Sequence, residues 1–172
     1  MSKDDGLTLL LLFAIGPMKE KKCGDQAFFN KVIRFLRGDS ALKNEVVKLI
    51  PKKLNLAWAC LKIINKDNPL ALETVTVYTL SSKGQEDLAH SAFVKMGHNL
   101  ESAVFGGTVL SLNSKKKGIG VITPSGEKTR IQFLSPFEED LAPGDLIAYH
   151  HKHLVCKIDR ETFDRLNKIN NA

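Results

Sequence analysis

The segment Leu146–Asp159 reads LIAYHHKHLVCKID and sets His150, His151, His153 and Cys156 within seven positions. Imidazole and thiolate are the side chains that hold zinc and other borderline-soft metals. Along a continuous strand, His151 and His153 would share one face and Cys156 would take the other. If His151 and Lys152 instead form a tight turn, His150 and His153 face each other across a hairpin, and Cys156 stays on a separate register. That pair falls short of the four ligands, or three plus water, that zinc takes. The missing ligands would have to come from elsewhere, for instance His90 or Cys23. The same stretch also reads as a solvated histidine-rich turn with Cys156 as a small core residue.

Cys23 precedes Gly24 and Asp25 at the mouth of an expected helix, with Lys19, Lys21 and Lys22 beside it. A helix N-terminus and nearby cations favour the thiolate, so Cys23 is the thiol expected to be most reactive; an ordinary helix-leading loop is the alternative. Cys60, in LAWACLKII, sits among apolar residues at helical spacing and is expected in the core. His90 is expected as a hydrogen-bonded structural histidine, or else as a contributor to a metal or partner site. FEED (Phe137–Asp140) pairs acids with no partner base, and no nucleophile elbow, phosphate-binding loop or dinucleotide fingerprint occurs. No catalytic residue is assigned, and the chain reads as a non-enzyme with no cofactor unless the histidine stretch binds metal.

The elements that would position these residues fall into two textures. The chain has 172 residues, enough for one domain or two small ones. Asp5 is expected to cap a first helix over the apolar run Leu7–Gly16, stopped by Gly16-Pro17. That run is short of the roughly 20 residues a bilayer needs, and acidic Asp4 and Asp5 precede it, so it is expected to be buried rather than membrane-bound. Phe28, Phe29, Val32, Phe35 and Leu36 then form an amphipathic stripe ending at Gly38. A helix capped by Asp39/Ser40 is expected to break at Pro51, followed by one carrying Leu54, Ala57, Trp58 and Leu61. Asn68 and Pro69 suggest a helix start, whereas the β-branched run TVTVYT suggests a strand. KGQEDLAHSAFVKMG reads as a further helix.

From residue 104 the pattern changes to short strands divided by turn residues: VFGGTVLSLN, GIGVIT, KTRIQFL, LIAYH and HLVCKI. Five short strands suggest a small closed barrel, because closure removes exposed edges. The glycines of FGGTV suggest a bulge or a barrel corner. Asp159 caps a last helix with Phe163, Leu166 and Ile169 on its apolar face. The expected class is α+β: an all-α domain over 1–103, then a five-stranded OB-like β-barrel and a C-terminal helix over 104–172.

The formal net charge of +6 admits nucleic acid or another acidic partner. The excess is spread over both parts, +4 in 1–103 (15 Lys+Arg against 11 Asp+Glu) and +2 in 104–172 (10 against 8). Three cysteines at wide spacing do not suggest a disulfide framework, and a reducing cytoplasm is the simpler expectation.

Three resemblances bear on function. GTVLSLNSKKKGIGVITPSGEKTRIQF resembles cold-shock domains, OB-type barrels that bind single-stranded nucleic acid. That likeness implies contacts from Lys115, Lys116, Lys117, Lys128 and Arg130, with Phe133 the one aromatic kept for base stacking; Ile119, Val121 and Ile131 stand at the other aromatic positions. DLAPGDLIAYHHKHLVCKIDRE resembles the closing segment of the hydrogenase maturation chaperone HypC, a similar barrel in which a Gly-Asp turn, a strand and an Ile-Asp lead into a C-terminal helix. Across nearly the whole chain, CGD (Cys23–Asp25), LAWACLKII, NPLALETVTVY, AHSAFVKMG, LESAVFGGTVLSL and PGDLIAYHHKHLVCKID follow the order found in an uncharacterised family encoded beside nickel–iron hydrogenase genes. That resemblance implies an accessory, chaperone-like protein with a protein partner such as a hydrogenase subunit or maturation factor. Single-stranded nucleic-acid binding is the alternative.

Overall fold

The computed structural model describes residues 5–80, 104–113, 118–133 and 141–170. The chain divides into two compact units, residues 1–79 and 80–172. The break expected near 104 and this division enclose residues 81–103, which lie outside the described residues together with the helix expected over KGQEDLAHSAFVKMG. The result is mixed α+β, with helices first, then strands, then a C-terminal helix.

The first unit is built from α1 (Gly6–Lys19), α2 (Gln26–Leu36), α3 (Lys43–Lys53), α4 (Asn55–Ile64) and α5 (Leu72–Leu80). Asp5 caps α1, its Oδ1 accepting from the Leu7 N–H at 3.1 Å. Leu10 and Leu11 are fully enclosed and Leu9 and Leu12 are only 5% exposed, as befits a helix apolar on every side. Among the described residues no helix is long and apolar enough to cross a membrane.

Two prolines do not end their helices as expected. α1 runs through Pro17 to Lys19, and α3 runs through Pro51 to Lys53. Each proline falls in a last turn, where its missing N–H removes a single helical bond, and buried Met18 in α1 and Ile50 in α3 hold the packing. Asp39 makes no side-chain cap; its carboxylate pairs with Arg34 at 2.7 Å instead. Asn68 and Pro69 do not begin a helix either. They open a turn closed by the Ala71 N–H on the Asn68 carbonyl, and α5 starts at Leu72. TVTVYT is helical because its Val75, Tyr78 and Thr79 are buried, Tyr78 edge-on to Phe13 at 5.6 Å. Tertiary packing here overrides β-propensity.

The second unit holds β1 (Phe105–Asn113), β2 (Gly118–Ile122), β3 (Lys128–Gln132), β4 (Leu146–His150), β5 (His153–Lys157) and α6 (Arg160–Asn170). The strands follow the order β1-β2-β3-β5-β4, with β4 returning to β1. The seams differ in strength. β1 and β4 pair over four positions, whereas β3 meets β5 in parallel at Gln132–His153 alone. Inward-facing Ile119, Val121, Ile131 and Ile147 are all 0% exposed and form the core with Phe133 and Tyr149. Each such side chain contributes about 1.5–3 kcal/mol by leaving water.

The paired glycines do not form the bulge, which lies between Val109 and Ser111. Gly106 and Gly107 are sites of close approach. A Cβ at Gly106 would meet Phe163 and Asn167 of α6, and one at Gly107 would lie 2.3 Å from a methyl of Val121. Asp159 caps α6, accepting from the Thr162 N–H at 2.7 Å. Phe163 and Leu166 are buried, and α6 packs on β1 and β4. The Ile169 side chain lies outside the described residues.

Candidate functional site

The histidine stretch forms the β4–β5 hairpin. His150 pairs with His153 across it, and His151 and Lys152 are the two turn residues, with φ of 47° and 59°. The tight-turn alternative is therefore the one adopted. His150 is 1% exposed and shares its strand face with Ala148, the partner of Gly106, beneath α6. Its ring meets that of His151 edge-on at 4.5 Å. The His153 Nδ1 lies 2.9 Å from the His151 carbonyl oxygen. Cys156 pairs with Ala148 two rungs away. Among the described residues, no three His, Cys, Asp or Glu side chains converge on one point. His90 lies outside the described residues.

Cys23 does stand before a capped helix, with Asp25 accepting from the Phe28 N–H at 2.8 Å. The thiol is half-buried. Burial pushes its pKa up to about 11, and the cost of desolvating a thiolate outweighs the helix terminus and the lysines. The Asp25 carboxylate is held below its ordinary range, first by a hydrogen bond from Lys53 and then by the Phe28 N–H. Cys60 is 1% exposed, in the core as expected, and burial raises its pKa too. Cys156 keeps some exposed surface, yet the surrounding protein pushes its thiol up to about 12.

The nucleic-acid candidates separate by strand parity. Lys128 and Arg130 alternate with inward Ile131 and are exposed on the outer face of β3. Phe133 is 6% exposed and part of the barrel core, so its ring presents no face for base stacking. Ile119 and Val121 face inward with it, leaving Gly118 and Gly120 on the outer face of β2. Lys115, Lys116 and Lys117 lie outside the described residues.

The closing segment is tied firmly to β1. The Gly144 N–H donates to the Val109 carbonyl at 2.8 Å, and the Val109 N–H donates to the Asp145 carbonyl at 2.9 Å. Asp145 also accepts from the Ala142 N–H at 2.8 Å and pairs with Lys157 at 2.7 Å. Lys157 first, then the Ala142 N–H, hold its carboxyl below the ordinary range.

Residue-by-residue reading missed a cleft of about 370 Å³ at the mouth of the barrel. Phe105 and Tyr149 line it, stacked at 5.8 Å and 26°. The β2–β3 turn contributes Thr123, Ser125 and Glu127, the β4–β5 turn contributes His151 and Lys152, and α6 contributes Asn167. Burial, and secondly the Glu127 carboxylate, raise the Tyr149 pKa. The overlooked signal was Asn167, a polar residue one helical turn after Phe163 on the face α6 buries.

No protein-family model matches the chain, and neither a curated protein nor a solved structure matches it.

Proposed function

We propose that this chain is a non-enzymatic, chaperone-like accessory protein of nickel–iron hydrogenase assembly, and that its barrel docks a partner protein. The reading rests on the resemblances of the closing segment and of the motif order along the chain. One observation carries it: PGDLIAYHHKHLVCKID is a single mechanical unit. Its Gly-Asp turn is bonded to β1, its hairpin completes the sheet, and Ile158-Asp159 leads into a capped helix packed on β1 and β4. That is the arrangement the HypC resemblance implies. Fold alone does not fix function, so the test is direct. Tagged protein expressed in hydrogenase-producing cells should capture a hydrogenase subunit or a maturation factor. Capture of neither overturns the proposal.

Single-stranded nucleic-acid binding is the second reading, favoured by Lys128 and Arg130 exposed on the outer face of β3, with the Arg130 guanidinium lying over Gly118. It lacks a stacking aromatic there, because Phe133 is inside. Filter binding to single-stranded RNA at two salt concentrations decides it. Contacts to phosphate predict affinity that falls steeply with salt, and no binding at low salt eliminates this reading.

A further inference from the structure

We propose that the mouth of the barrel is a binding site for a mononucleotide, a planar heteroaromatic ring carrying an anionic arm. The site is independent of any protein partner and of the outer β2–β3 face. Barrel mouths are among the places where folds form small-ligand sites, and the cleft's volume of about 370 Å³ suits one such molecule.

Three features select the ligand. The first is an aromatic platform. Phe105 lies nearly parallel to Tyr149, and it is 38% exposed, an unusual position for a phenyl ring. A second flat ring laid against this pair would remove that apolar surface from water, and aromatic rings stack on bases without regard to base identity. The second is an unmet donor. Asn167 is 9% exposed and lines the cleft. Its Nδ2 is buried with no hydrogen-bond partner among the described residues. A buried amide donor left unpaired is costly, and a rotation of the Asn167 amide toward the cleft would bring it to an acceptor on a ligand ring. The third is mixed charge at the rim: Lys152 for the anionic arm, and Glu127 with the Thr123 and Ser125 hydroxyls for sugar hydroxyls. Lys152 stands in the β4–β5 turn at this rim, its φ 59°.

Isothermal titration of the full chain with AMP, GMP, CMP and UMP tests this, with ribose 5-phosphate and inorganic phosphate as ringless controls. Saturable binding of at least one nucleotide is expected, at least about tenfold tighter than ribose 5-phosphate, since stacking is the larger part. Phe105→Ala should weaken it about 5- to 100-fold, and Asn167→Ala about fivefold or more. Lys152→Ala, on an exposed turn, should weaken nucleotide and ribose 5-phosphate by the same factor; should Asn167→Ala not fold, this variant and Phe105→Leu carry the test. No saturable binding at millimolar nucleotide overturns the proposal. So does equal affinity for ribose 5-phosphate, or affinity unchanged in both Phe105→Ala and Lys152→Ala. None of these outcomes touches the capture of a protein partner.

Discussion

His150 and His153 are cross-strand partners, and the two residues between them, His151 and Lys152, both carry positive φ. Two-residue hairpins of this kind favour Asn-Gly, because Gly has no Cβ to strain there and the short Asn side chain tolerates the left-handed region better than other residues do. Replacing His151-Lys152 by Asn-Gly should raise the unfolding free energy by about 1 kcal/mol, read as a higher urea midpoint at constant slope. The same variant should lose nucleotide affinity, since it removes two side chains from the barrel mouth. A lower midpoint would mean that these side chains make contacts worth more than the strain.

α1 and α2 end in the same motif with different residues at the left-handed position. In α2 the Gly38 N–H bonds to the Phe35 carbonyl and the Asp39 N–H to the Arg34 carbonyl, with Gly38 at φ 108°. In α1 the equivalent bonds run from Lys21 to Met18 and from Lys22 to Pro17, with Lys21 at φ 59°. Lys21→Gly should therefore stabilise, and Gly38→Ala should destabilise, each by about 1 kcal/mol. Thermal melts of both variants check the opposed signs; two shifts in the same direction would refute the shared cap.

Much of this was legible in the sequence because each signal was local. Asp5 and Asp159 stand where caps belong, and both cap. The five strands lie where alternation and turn residues put them, since a half-buried strand writes its period directly. The misread elements were those decided by distant neighbours. Pro17 and Pro51 sit in helices, and TVTVY is helical through burial against residues remote in sequence. For Cys23 the sequence left an activated thiol and an ordinary helix-leading loop both open; the raised pKa favours the second, because helix-terminus electrostatics is visible in sequence and desolvation is not. The barrel mouth went unseen because Phe105, Tyr149 and Asn167 are brought together only by strand closure and by α6.

Gly107 is a tight point of the barrel interior. A Cβ there would stand 2.3 Å from Val121 Cγ1 and 3.2 Å from Tyr149 Cε1, and Val121 is 0% exposed. Gly107→Ala should cost about 1–3 kcal/mol by overpacking. Val121→Ala removes the clashing methyl, so the double variant should lose less than the sum of the singles by about 0.5 kcal/mol or more. Chemical denaturation of the four proteins in the cycle measures this. Strict additivity would show that the two positions do not touch.

The hairpin geometry predicts weak metal binding. His150 lies on the face beneath α6, His153 is engaged with the His151 carbonyl, and Cys156 is two rungs away. A tetrahedral site asks these ligands to converge. Protein dialysed against zinc and then against buffer should retain well under one equivalent, unchanged in His150→Ala. Stoichiometric zinc or nickel lost in His150→Ala would overturn this reading.

The thiols should report on pH. Burial raises Cys23 from 9.0 to about 11, and Cys156 to about 12. At pH 8 folded Cys23 then holds about a hundredfold less thiolate than a free thiol with the ordinary value, two pKa units being a factor of a hundred. Iodoacetamide should label the native chain slowly and the urea-unfolded chain fast. A group whose pKa is raised on folding contributes stability that is complete below its unfolded value and is lost as pH rises through the folded one. Stability should accordingly fall from about pH 9 upward, and the fall should be shallower in Cys23→Ala, which lacks one of the thiols whose pKa is raised. Rapid native labelling of Cys23, or an alkaline slope unchanged in Cys23→Ala, would mean that its thiol is open to water and that the helix terminus beside it, not burial, sets its chemistry.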